Sequence, residues 1–140
     1  MNAARTTEEI ERAIADVLAA APHRAVGLAL VRWSPGQAVL AFVAGNACLG
    51  PSGQVHGGVI SMLAEPTAVL ALLPMLPADR HAVTADFHAQ FLRPAKPHAR
   101  VELTGRVLRA GRQLAFCEVE ARSERQVCVV TRVTKAIVAV

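Results

Sequence analysis

The segment Val55-His56-Gly57-Gly58-Val59-Ile60-Ser61-Met62-Leu63-Ala64-Glu65 carries the residues best suited to chemistry. A His-Gly-Gly turn leads into an apolar run that reads as a helix, and one carboxylate lies two turns inside it. A charge in such a segment is costly to bury without a partner or a task. The start of a helix offers unpaired backbone N–H groups and the positive end of the helix dipole. Amides able to stabilise an oxyanion therefore share one short segment with a carboxylate able to act as nucleophile or base. That combination points to acyl chemistry.

The elements around this segment must position it. Thr6 and Glu9 have capping-box spacing, and Ile10, Ile14, Val17 and Leu18 follow at helical intervals, so a helix is expected there, ended by Pro22. Gly27 to Trp33 and Gln37 to Val43 read as two strands joined by the Ser34-Pro35-Gly36 turn. A loop of small residues from Gly45 to Gly53 precedes a long helix from about Gly58 to Leu73. In the second half, Val83, Ala85, Phe87, Ala89 and Phe91 alternate with Thr84, Asp86, His88 and Gln90, a strand with period two. Three more strands follow: Val101 to Leu108, Gln113 to Ala121 and Val127 to Val138. The order predicts an α+β fold in which an antiparallel sheet wraps one long helix. Residues 1–24 are expected to form an N-terminal helix, and 25–140 the main domain, with no second core. Pro66 directly after Glu65 removes a helical hydrogen bond to Met62, so a kink is expected at the carboxylate.

Composition narrows the function. The chain has 140 residues, enough for one real core, with 53% hydrophobic and 19% charged residues. Cys48, Cys117 and Cys128 are odd in number and lack C-x-x-C spacing, which argues against a disulfide framework or a zinc site. Cys117 and Cys128 read as packing residues, and Trp33, Phe87 and Phe91 as core. Tyrosine is absent, no basic run occurs, and a net charge of +4 permits anionic ligands without indicating nucleic acid. The apolar run from Val59 to Leu76 is interrupted by Glu65, Pro66 and Pro74, so no membrane span is expected. Without a signal-peptide pattern at the N-terminus, the expected location is the cytoplasm. No His, Asp or Glu grouping has metal-ligand spacing.

The element order, with His56-Gly57-Gly58 heading the central helix and Glu65 nine positions after the histidine, resembles the hotdog-fold acyl-CoA thioesterases. The likeness is strongest to the phenylacetate-pathway (PaaI-like) branch and covers roughly residues 25–138. It implies a six-stranded antiparallel sheet around the helix, assembly into dimers and often tetramers, and hydrolysis of an acyl-coenzyme A thioester without metal or organic cofactor. By this resemblance Gly57, together with Gly58, supplies the backbone oxyanion hole and His56 shapes the turn. Glu65 is the catalytic carboxylate, and Thr84 assists the attacking water. Many relatives carry Asn or Gln six residues before the histidine. Here that position is Gly50, with Asn46 and Ser52 as substitutes in the loop. Coenzyme A phosphates imply basic residues at the pocket mouth, for which Arg93, Lys96, Arg109 and Arg112 are the candidates. Met62, Leu63, Val69 and Leu70 are the candidates for the acyl pocket floor.

Geometry adds a constraint. Gly58 and Glu65 of one helix lie roughly 10 Å apart along its axis. An oxyanion donor and a nucleophile must both sit about 3 Å from one reacting group. Two antiparallel helices across a two-fold axis satisfy this, so the site is expected at a subunit interface. Competing readings are a non-catalytic acyl-CoA-binding hotdog protein, favoured by Gly50 and Pro66, and a hotdog hydratase, which needs an Asp/His pair that this helix lacks. Glu65 could also serve as a structural carboxylate bonded across a dimer.

Overall fold

Thr6 and Glu9 close the expected capping box at the head of helix α1 (Thr7–Ala19). The Thr6 hydroxyl accepts from the Glu9 N–H at 3.2 Å, and the Glu9 carboxylate accepts from the Thr6 N–H at 2.8 Å. These details come from a computed structural model that describes residues 3–140. Pro22 does not end α1, as expected from the sequence. It lies in the first turn of a second short helix, α2 (Ala21–Ala25), where its missing N–H has no helical partner to lose. This helix crosses the boundary expected at residue 25. Ile10 and Ile14 are buried in the same apolar cluster as the sheet and the long helix.

Six strands form one antiparallel sheet: β1 (Ala29–Ser34), β2 (Gln37–Val43), β3 (Arg80–Phe91), β4 (Arg100–Ala110), β5 (Leu114–Ser123) and β6 (Gln126–Ala139). Their order across the sheet is β1-β2-β4-β5-β6-β3, so β3 is an edge. Helix α3 (Gly57–Leu72) packs against all six strands. Being wrapped explains its sequence: a helix covered on every side can be apolar all round. Leu63, Leu70 and Leu72 meet Leu40, Val101, Leu103, Val119, Val129 and Val133 in the core. At Gly105 on β4 an added Cβ would lie 2.8 Å from the Thr67 carbonyl oxygen, so only glycine lets the helix approach this closely.

Two features of α3 bear on the sequence expectations. Pro66 leaves the Met62 carbonyl without its helical donor, and the chain remains helical through it to Leu72. Gly57–Met75 is also long and apolar enough, by length and composition, to cross a membrane, despite Glu65, Pro66 and Pro74. In this fold 61% of that segment is buried inside the protein.

The period-two pattern of β3 is broken as well. The register with β6 runs Ala82↔Ile137, Val83↔Ala136 and Thr84↔Lys135, then resumes at Asp86↔Thr134 and Phe87↔Val133. Ala85 is thus the extra residue of a β-bulge, which switches the face of every residue before it. Ala82 is buried while Val83 is 47% exposed. Thr84, grouped by simple alternation with Asp86 and His88, instead shares the inner face with Ala82 and Phe87.

Candidate active site

The head of α3 is built by its own sequence. His56 is the N-cap, and its Nδ1 accepts the Gly58 N–H at 2.8 Å. A nitrogen that accepts carries no proton, so the Nε2–H tautomer is the one this bond requires. The cap consumes the Gly58 amide and leaves the Gly57 N–H outside it. Of the two expected oxyanion donors, the geometry therefore favours Gly57 alone. An added Cβ at Gly57 would lie 2.6 Å from the edge of the Phe91 ring. Phe91 is 57% exposed, so it is a lid over this turn and not the core residue expected.

Around this turn lies a cavity of about 530 Å³, lined by Ser52, Gln54, His56, Gly57, Phe91 and Arg93 among others. A Cβ added at Gly50 would meet the His56 ring at 3.5 Å, an ordinary van der Waals distance. Asn46, exposed at the start of a single 3-10 turn, does not line the cavity, whereas Ser52 does. The sequence reading missed Gln54, whose Oε1 is buried without a hydrogen-bond partner. Its position two residues before the histidine could have marked it.

Glu65 opens elsewhere. It lines a second cavity of about 540 Å³ with His23, Met62, Val69, His81, Thr84 and Lys135. No residue is common to the two cavities. Met62 and Val69 line the wall as expected, but Leu63 and Leu70 are fully buried in the core and do not. Thr84 is brought to Glu65 by the β3 bulge, and its hydroxyl accepts a hydrogen bond from the Lys135 ammonium at 2.7 Å. Lys135 is only 3% exposed, a residue the sequence reading missed because it sits in a strand of alternating apolar side chains. Burial lowers its pKa, while the nearby Glu65 and Cys117 favour its charged form. Burial pushes the Cys117 thiol up to about 11, partly opposed by Lys135, so this sulfur stays protonated.

The basic candidates are scattered within one protomer. Arg93 lines the His56 cavity and donates to the Val127 carbonyl at 3.2 Å. Lys96 pairs with Glu124 at 3.3 Å. Arg109 is exposed at the far end of β4. Arg112 lines a third cavity together with Arg80.

One antiparallel sheet curled around a single core helix, with a histidine-capped glycine turn at the helix head, defines the hotdog class. The chain belongs to the thioesterase superfamily, whose sequence profile matches residues 52–135. A Deinococcus radiodurans protein, an esterase by name, is 34% identical over 98 residues, which are 69% of this chain and 64% of that protein. A mutant of the phenylacetic acid degradation protein PaaI from Thermus thermophilus superposes with a TM-score of 0.75 at 29% identity. The match covers 81% of this chain and 95% of that one. A Streptococcus mutans protein solved with acetyl-CoA shares the fold with a TM-score of 0.75 at 19% identity, over 81% and 90% of the two chains.

Proposed function

We propose that this protein is an acyl-CoA thioesterase whose active site is completed by a second copy of the chain. The observation that carries this reading is the separation of two complementary half-sites. The Gly57 amide opens into one cavity, and Glu65 with Thr84 opens into another. Strand β3 touches both: His81–Thr84 line the Glu65 cavity, and Phe91 lines the Gly57 cavity. Its outer edge pairs with no strand among the described residues, and a long unpaired edge is a template for another chain. Antiparallel pairing of β3 with its own copy sets the start of one strand beside the end of the other. Each Glu65 then faces the partner's Gly57 end.

In the assembled site the thioester carbonyl oxygen accepts from the Gly57 N–H, which stabilises the charge that develops as the carbon becomes tetrahedral. Glu65 either attacks the carbonyl carbon, forming an anhydride that water then opens, or takes a proton from water as that water attacks. Both routes break the carbon–sulfur bond and release the free acid and the thiol. Thr84 orients the water. Arg93, which lines the Gly57 cavity, supplies the positive charge for coenzyme A phosphates in this reading. No metal or organic cofactor is required by this chemistry.

Thiol release is to be measured on acyl-CoAs from acetyl to long-chain, with phenylacetyl and benzoyl, for wild type and Glu65→Ala. Hydrolysis that depends on Glu65 supports the reading and identifies the acyl class. A folded wild type that releases no thiol while binding the same thioesters would instead establish a binding protein.

A further inference from the structure

We propose that Lys135 is a positioning residue of the Glu65 centre: from β6 it fixes the Thr84 hydroxyl as a hydrogen-bond donor and sets a positive charge beside the carboxylate. This inference rests on the thioesterase reading above. The chain has only two lysines among its 15 cationic residues, and Lys135 is the buried one. Arginine covers the surface, so a lysine enclosed at 3% exposure stands apart. A buried ammonium in a strand that would otherwise take an apolar side chain works against stability unless it has another use.

The register makes the arrangement rigid. Thr84 and Lys135 are cross-strand neighbours, and the bulge at Ala85 turns Thr84 to the inner face that Lys135 takes by the alternation of β6. The ammonium donates to Thr84 Oγ1 at 2.7 Å. With that lone pair occupied by a cationic donor, the hydroxyl proton points away from Lys135 and into the cavity that Glu65 lines. Thr84 thereby offers a proton to a water or to the carboxylate, in one fixed orientation.

The charged and titratable groups around Lys135 come from four elements. Glu65 comes from α3, Cys117 from β5, His81 from β3 and His23 from α2. The Cys117 thiol is protonated and cannot balance the ammonium. Glu65 is the carboxylate among these groups, so the two charges support each other across the cavity. The contact to Thr84 is made by a protonated Lys135, which gives activity an alkaline limb in pH. Burial lowers the pKa of Lys135, which draws the alkaline limb below the ordinary lysine range.

The test is thiol release and thermal melting for wild type, Lys135→Met, Lys135→Arg and Glu65→Gln, with rates followed from about pH 5 to about pH 10. Lys135→Met is expected to melt at or above the wild-type temperature, since it removes a buried charge. Its kcat is expected to fall by about tenfold near neutrality with KM little changed, and its alkaline limb to disappear. Lys135→Arg retains most of the rate and also loses the alkaline limb, because guanidinium does not titrate in this range. A Lys135→Met protein with the wild-type rate and profile, on a wild type that depends on Glu65, overturns this proposal alone. A Glu65→Gln protein at full rate overturns the thioesterase assignment of Glu65 and this proposal together. Should Lys135→Met fail to fold, Lys135→Arg decides: an unchanged alkaline limb refutes the role.

Discussion

The two ends of the candidate site are built in different ways. The His56 end is local: cap, free amide and turn come from three consecutive residues, and residues such as Phe91 and Arg93 complete the cavity wall from afar. The Glu65 end is assembled from α3, β3 and β6, and depends on a one-residue bulge to turn Thr84 inward. An oxyanion hole needs backbone geometry, which a short motif can specify. Tuning a carboxylate needs side chains at chosen positions around it, which only a folded sheet provides. The first half should therefore fail through local geometry, and the second through charge.

The largest expected effect is at the carboxylate. Glu65→Gln should lower kcat by roughly 10³-fold with the fold intact, within the range for removing a general base or nucleophile. Single-turnover hydrolysis in ¹⁸O-labelled water then separates its two roles. An unlabelled first-turnover acid, carrying a Glu65 oxygen, establishes direct attack with water opening the anhydride at the Glu65 carbonyl, whereas general-base catalysis labels the acid at once.

Next is Gly57→Ala, whose Cβ meets the Phe91 ring and displaces the amide; about 10²-fold in kcat is expected to be lost. Adding Phe91→Ala should return part of that loss, since it removes the obstructing ring. Failure of the double variant to recover would place the damage in the backbone and not in the clash. Mixing the two dead chains, Glu65→Ala and Gly57→Ala, sharpens the comparison further. If each site takes one half from each protomer, exchanged subunits should regain about a quarter of the wild-type rate. No recovery after verified exchange would place both halves in one chain.

Smaller effects concern stability. His56→Ala removes the N-cap of α3 and should cost about 1 kcal/mol, seen as a fall of about 3 °C in Tm. The alkaline dependence at Lys135 has a defined sign. Its folded-state pKa lies below the ordinary 10.5, so between the two values the unfolded chain holds the extra proton. The cost of the buried charge is fully present below the folded value and is relieved as pH rises towards 10.5. The Tm advantage of Lys135→Met over wild type should therefore shrink across that window, and a constant difference would contradict it.

Much of this molecule is legible in the residues. Thr6 and Glu9 announce α1 because capping is a local bond pair, and the largely apolar run before Leu72 announces a helix wrapped by the sheet. His56-Gly57-Gly58 and Glu65 mark the two proposed half-sites on that helix, one at its head and one at its middle, since their spacing needs only the helical rise. The turn from one half-site to the other is where sequence reasoning reaches its limit. Alternation along β3 assigns Thr84 to the outer face, because a bulge costs one residue and leaves no mark in the pattern. Lys135 is hidden between Val133 and Ile137 on one face of its strand, and nothing local says that its partner is 51 residues earlier. The consumption of the Gly58 amide by His56 likewise depends on a side-chain rotamer and not on residue type. By itself the sequence determined the fold class, the glycine turn at the head of the central helix and the carboxylate within that helix. The tertiary structure alone decided which amide is free, which face Thr84 takes and which cation stands beside Glu65. Those choices follow from register and packing between distant strands.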